Sequence, residues 1–194
     1  MKIIICGAGM VGQGIAARLA SENNAVTVVD VSPELIRNIT NNLDVRGIVG
    51  HGAYPEVLAQ AGINSADMII AVTYSDEVNM VACQIAHSLF NVPTKVARIR
   101  SQAYLEDEWR DLYNRENLPI DIIISPEVEI SKAILRRLNT PGASDVVPFA
   151  DGRVKMLAIR IEEDCPIINM PIRQIPVLFS DLHAVIVGIR RDGE

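Results

Sequence analysis

The stretch that most constrains this chain is its beginning, "KIIIC" running into Gly7-x-Gly9-x-x-Gly12. A β-branched pentad reads as a strand, and Val11, Ile15 and Leu19, spaced i, i+4, i+8, read as the buried stripe of the helix that follows. Three glycines at a strand-to-helix junction are what a phosphate-binding turn needs. The first permits the tight turn, the second leaves room for a pyrophosphate, and the third lets helix and strand pack closely. The N–H groups near Met10 and Val11 then face the anion along the helix axis. In that context the motif argues for a parallel α/β sheet with a ligand crevice at the carboxyl ends of its strands.

The rest of the chain agrees in period. "AVTVVD", "VRGIV", "DMIIAVT", "TKVARI" and "IDIIIS" are further short strands, nearly continuously apolar as strands covered on both faces must be. Pro33, Pro55 and Pro126 stand where the first turns of helices would begin, where a missing N–H costs little. Val78, Val81, Ala82, Ile85 and Leu89 form a second stripe at helical spacing, expected to bury against the sheet. Six β–α units in residues 1–138 predict an α/β, Rossmann-like, doubly wound parallel sheet with right-handed crossovers. "NTPGASD" interrupts the helical pattern, so residues 139–144 are expected to be a linker. Residues 145–194, with "RVKMLAIRIEE" and "HAVIVGIRR" as strands, are expected to form a small α+β domain. Two strands are too few for an independent sheet, which predicts a longer protein or pairing with another chain.

Composition narrows the function. A net charge of −6 gives no global basic field for a nucleic-acid backbone or an anionic bilayer, so no nucleic-acid partner is expected. No uncharged apolar stretch approaches the roughly 18 residues of a membrane span, so no direct membrane insertion is expected either. Cys6, Cys83 and Cys165 lie far apart without a CxxC, which indicates neither a disulfide framework nor a metal site and suits a reducing, cytoplasmic setting.

Candidate binding residues follow from the fold. Asp30 closes the second strand, where this fold places an acid against ribose hydroxyls and where it would repel a 2′-phosphate; capping the turn before "SPEL" is its alternative role. Thr73 and Tyr74 lie at the carboxyl edge where strand order reverses, and Thr73 could donate to phosphate or ribose. Asp76 is read as the N-cap of the long helix after it. Arg98 ends the fifth strand, where it could fork onto phosphate oxygens, lie in solvent, or pair with Asp76 or Glu77. His51, between two glycines, is open to a ligand contact or a solvated turn, and His87 and His183 are given no catalytic role.

Together "IIICGAGMVGQGIAARL", "NNAVTVVD", "GHGAYPEVLAQAGI", "AVTYSDEVNMVACQIAHSLFN" and "ARIRSQAY" resemble the regulator-of-potassium-conductance (RCK, or KTN) family, densely over residues 1–138. "RVKMLAIRI" and "HAVIVGIRRDG" are similar to that family's small C-terminal domain. The resemblance implies that Gly7, Ala8, Gly9, Met10, Val11, Gly12, Asp30, Thr73, Tyr74 and Arg98 bind an adenine nucleotide, NAD(H) or else ATP or ADP. It implies a homo-oligomer, dimer or tetramer, docked at the cytoplasmic face on a potassium-translocating membrane subunit of the TrkH or TrkG type. It also implies the first half of a tandem protein and a regulator without catalytic residues. The alternative is an NAD-dependent oxidoreductase, which would need an acid or base and a substrate domain that residues 145–194 look too small to supply. A redox-sensing transcription factor fails on the acidic charge and the lack of a helix-turn-helix.

Overall fold

β-branched runs at Lys2–Cys6 (β1), Ala25–Asp30 (β2), Arg46–Val49 (β3), Met68–Ala71 (β4), Thr94–Arg98 (β5) and Ile122–Ile124 (β6) pair side by side, all parallel, in the order β3-β2-β1-β4-β5-β6. They were located in a computed structural model that describes residues 1–150, 152–178 and 184–191. Helices Met10–Ser21 (α1), Pro33–Asn42 (α2), Pro55–Gln60 (α3), Asp76–Ser88 (α4) and Pro126–Leu138 (α5) alternate with the strands. This is the doubly wound, Rossmann-like sheet expected from the sequence. The order reverses between β1 and β4, so the loops after these strands diverge and open a crevice at their carboxyl ends. Pro33, Pro55 and Pro126 each begin a helix.

Each face of the sheet carries its own core. Ile3, Ile5, Val26, Val28, Ile70 and Val96 pack with Ile36 and Ile39 of α2 and Ala16 of α1. Ile4, Cys6, Val29, Ile69 and Ala97 pack with Leu58, Met80, Ala82, Cys83 and Ala86. The helices approach differently from the expected stripes. In α1 the buried residues are Gly12 and Ala16, with Ile15 and Leu19 half-buried and Val11 exposed. In α4 the buried face is Asp76, Asn79, Met80, Ala82, Cys83 and Ala86, while Val81 and Leu89 are exposed. Small side chains let these helices sit close to the sheet, and the larger β-branched residues flank the contact.

Two compact units are present, Met1–Ser131 and Lys132–Glu194. In the second, Ala143–Phe149 (β7) pairs antiparallel with Val154–Ile159 (β8), with a register shift between Ala143 and Asp145. β7 was not foreseen, and its first residues fall in the stretch read as a linker or interruption. A short helix, Ile175–Leu178 (α6), follows. Residues 184–191, read as a last strand, form none among the described residues, and Val185, Val187 and Ile189 stay exposed. An extended segment becomes a strand only with a partner to bond to; His183, at its start, lies outside the described residues. Among the described residues no helix is long and apolar enough to cross a membrane, and no group of three His, Cys, Asp or Glu could hold a metal ion.

Candidate functional site

The loop after β1 is shaped by its glycines. Gly7 adopts φ +112°, a conformation that L side chains rarely reach. A Cβ on Gly12 would lie 1.8 Å from the Gly7 carbonyl oxygen, so only glycine lets α1 pack against the turn. Gly9, the N-cap of α1, has nothing within 4 Å of where its Cβ would be. α1 also has no side-chain cap and no acid in its first turn. α2 and α4 are different: Ser32 and Ser75 cap them, and Glu34 or Asp76 and Glu77 follow. The open positive end of the α1 dipole therefore faces clear space at the crevice. Those are the donor set and the clearance that an anionic phosphate group requires.

Asp30 ends β2 beside this turn, where it makes the turn-capping contact expected of it and a second bond into the glycine turn. Its Oδ2 accepts the Ala8 N–H at 2.7 Å and its Oδ1 accepts the Ser32 N–H at 2.8 Å. One carboxylate thus fixes the glycine turn and the start of α2, and each oxygen keeps a lone pair for a sugar hydroxyl. Beneath it, burial first and the charge of Asp30 second push the Cys6 thiol up to about 12, so it is not a nucleophile at neutral pH. The loop after β3 adjoins the same edge, since Gly50 N–H donates to the Asp30 carbonyl at 2.9 Å. There His51 Nδ1 accepts the Ala53 N–H at 3.3 Å and the imidazole stacks on Tyr54, centroids 4.6 Å apart.

Across β1, the loops after β4 and β5 form the other wall. Thr73 is half-buried, and its N–H and hydroxyl lie 2.8 Å and 2.7 Å from Asn79 Oδ1. Arg98 Nη2 donates to the Thr73 carbonyl at 2.6 Å, and its Nε is buried without a partner. Burial, then the like charge of Arg100, lowers the affinity of Arg98 for its proton. Of the roles expected for Arg98, pairing with Asp76 or Glu77 is not what the structure shows; the 4.0 Å approach to Asp76 is made by Arg100. Tyr74 is 82% exposed, and the Arg100 guanidinium lies 4.3 Å over its ring while donating to its carbonyl. Asp76 is not the N-cap. Ser75 takes that position by accepting the Val78 N–H, which leaves buried Asp76 free to accept the Arg100 and Ser101 N–H groups at 3.0 and 2.8 Å.

Gly7 to Gly12, Asp30, Thr73 and Arg98 thus gather at the ends of the adjacent strands β2, β1, β4 and β5. Sequence reasoning missed Asn79 and Arg100. An asparagine between Val78 and Met80 in an apolar helical stretch was the available signal for the first, and the second arginine of "RIR" for the other.

The TrkA-N domain family matches residues 3–126. The Trk system potassium uptake protein TrkA of Azorhizobium caulinodans is 59% identical over 194 residues, 100% of this chain and 42% of that protein. The protein of the same name from Halomonas elongata is 47% identical over 169 residues, 87% of this chain and 36% of that one. The chain therefore spans less than half the length of these curated relatives. Among solved structures, the TrkA-N domain of inner membrane protein ybaL from Escherichia coli superposes with a TM-score of 0.59 at 18% identity, covering 71% of this chain and 96% of that one. The GsuK channel bound to NAD gives 0.58 at 19%, covering 77% and 25%. These two likenesses establish the fold.

Proposed function

The chain belongs to the TrkA-N domain family, and from that premise we propose that it is a non-enzymatic regulatory module that binds an adenine nucleotide and biases a potassium pathway. The observation that carries this reading is the start of α1, uncapped, free of acid and open at Gly9, with Asp30 one hydrogen bond from Ala8. In the proposed mode Gly7, Ala8, Gly9, Met10, Val11 and Gly12 surround the phosphates, Asp30 holds a ribose, and Thr73, Tyr74 and Arg98 form the opposite wall. The proposed occupant is NAD(H), with ADP or ATP as shorter alternatives. A bound nucleotide would supply negative charge at the α1 terminus and a bridge between the two walls. The name of the GsuK structure, a channel bound to NAD, supports the ligand class.

A regulator rather than an oxidoreductase is favoured by the acids of the crevice. Asp30 and Asp76 are committed as acceptors to backbone N–H groups, which suits holding loops rather than moving substrate protons. We assign residues 1–138 to the nucleotide domain, 139–144 to a linker and 145–194 to a small C-terminal domain. The whole protein, by this reading, is a homo-oligomer held at the cytoplasmic face by a potassium-translocating subunit of the TrkH or TrkG type; the names of the relatives, Trk system potassium uptake proteins, support a potassium system. A nucleotide moves such a gate only by binding two subunit arrangements unequally.

Thermal unfolding with NADH, NAD, ADP, ATP and NADPH tests the binding claim. A ligand at a hundredfold excess over Kd adds about 2.7 kcal/mol, or roughly 5 to 10 °C in a chain of this size. At least one of the first four should give that rise, and NADPH should give the least because Asp30 would face its extra phosphate. A flat response to all five would sink the reading. Potassium flux through liposomes carrying the full-length protein and its membrane subunit should then follow the same nucleotide.

A further inference from the structure

We infer that Asn79 fixes Thr73 as a hydrogen-bond acceptor only, so that Thr73 reads a sugar hydroxyl on the second half of a dinucleotide and not a phosphate; this rests on the nucleotide-binding reading above. Asn79 is fully buried in the first turns of α4. Its amide orientation is set by its surroundings. Nδ2 faces two carbonyl oxygens, Arg98 O at 2.9 Å and Thr73 O at 3.3 Å, and so must be the donor. Oδ1 faces the Thr73 N–H at 2.8 Å and so is the acceptor. Thr73 Oγ1 lies 2.7 Å from that same Oδ1, which carries no hydrogen, so the hydroxyl proton must lie between them. Among the described residues, the other hydrogen-bond partner of this hydroxyl is the Ser75 carbonyl at 3.2 Å, again an acceptor. The single proton of Thr73 is therefore spent on the protein, and lone pairs are all that its hydroxyl keeps for a ligand.

A lone pair repels an ionised phosphate oxygen and welcomes an O–H. The sheet order decides which O–H. β1, with the glycine turn, lies between β2, ending in Asp30, and β4, leading to Thr73. A Cβ on Gly7 would come 3.0 Å from the Thr73 nitrogen, so Thr73 borders the turn on the side away from Asp30. With the adenosine ribose taken by Asp30 and the phosphates by the turn, the group reaching Thr73 is the second ribose. The ladder of β4 and β5 ends at Ala71 and Ala97, and beyond it Asn79 holds Thr73 and Arg98 in place. Asn79 is therefore a positioning residue and Thr73 the specificity-determining one.

The test is calorimetric binding of NADH, ADP and ATP to the wild-type chain, Thr73→Ser and Thr73→Val. Thr73→Val should weaken NADH by about 3- to 10-fold and leave ADP and ATP within about twofold, and Thr73→Ser should restore NADH. On the wild-type chain, which avoids any folding defect of a variant, a dinucleotide lacking both hydroxyls on its nicotinamide-side ribose should lose the same factor. A Thr73→Val loss that grows from ADP to ATP, an equal loss for all three, or no loss for NADH or for the deoxygenated dinucleotide would each overturn the inference. If the wild-type chain binds none of the three, the nucleotide-binding reading itself has failed.

Discussion

Gly12 and Gly9 sit three residues apart in one motif, and the structure assigns them opposite consequences. A methyl at Gly12 would lie 1.8 Å from the Gly7 oxygen and 2.9 Å from the Gly7 carbonyl carbon. Both atoms are backbone, in a residue whose N–H is tied to the Val29 carbonyl at 2.8 Å. Overpacking a well-filled site typically costs about 1–3 kcal/mol, and a rigid backbone contact belongs at the top of that range or above it. The better helix propensity of alanine returns up to about 1 kcal/mol. Gly12→Ala should therefore lose a net ~2–3 kcal/mol, roughly 5 to 10 °C in melting temperature. A methyl at Gly9 meets nothing of the protein, so Gly9→Ala should stay within about 1 kcal/mol of wild type. It would instead fill the space through which a pyrophosphate approaches and should cost at least about tenfold in NADH affinity, ~1.4 kcal/mol. Urea unfolding followed by circular dichroism reads the first effect and titration calorimetry the second. Wild-type stability in Gly12→Ala, or wild-type NADH affinity in Gly9→Ala, would refute the packing argument or the ligand argument respectively.

Asp30→Ala removes the acceptor of two backbone N–H groups, so unfolding free energy should fall by about 1–3 kcal/mol, and NADH, ADP and adenosine should all weaken by roughly 10- to 150-fold; loss of one ligand only would point elsewhere. Arg98→Ala should weaken NADH, ADP and ATP by a shared factor and leave adenosine untouched, whereas unchanged binding of all four would reduce Arg98 to its bond with the Thr73 carbonyl. At the opposite end of the sheet Asp121 pairs with the buried Lys95 at 2.7 Å; burial opposes ionisation, but the hydrogen bonds and charge of Lys95 outweigh it and hold the carboxyl below its ordinary value. A carboxylate depressed by folding stabilises above its unfolded value of about 3.9 and loses that contribution as pH falls through the folded value. With the Asp121 side chain 41% exposed, the contribution is screened to about 1 kcal/mol or less. The stability gap between wild type and Asp121→Asn should be constant above about pH 5 and close below about pH 4; a gap independent of pH in acid would remove the ion-pair account.

The parallel sheet was legible because strands covered on both faces must be apolar throughout, and "KIIIC", "AVTVVD" and "DMIIAVT" have no other economical reading. Helix starts were legible from Pro33, Pro55 and Pro126, since proline tolerates few other positions. The buried faces were harder. Spacing picked out Ala82 correctly but also the large residues Val81 and Leu89 of α4, whereas close packing selected Cys83 and Ala86, and no periodicity distinguishes a small residue in contact from one in solvent. β7 was hidden by Pro148 and by the loop-like "TPG" that precedes it. Ser75 displaced Asp76 as the cap because either side chain can accept the third N–H of a helix, and only the tertiary partner, the chain leaving β5, decides which does. Asn79 escaped notice because three of its bonds fold back on Thr73, six residues earlier, and the fourth reaches the Arg98 carbonyl of β5, and nothing periodic marks either.

The central claim, that a dinucleotide lies across the glycine turn between β2 and β4, is tested most directly by a crystal structure of the chain grown with NADH. The account predicts pyrophosphate oxygens within hydrogen-bond distance of the N–H groups at the start of α1, the adenosine ribose on Asp30, and the second ribose on the Thr73 side of Gly7. Density for NADH in any other place, or a crevice empty at saturating NADH, would contradict it.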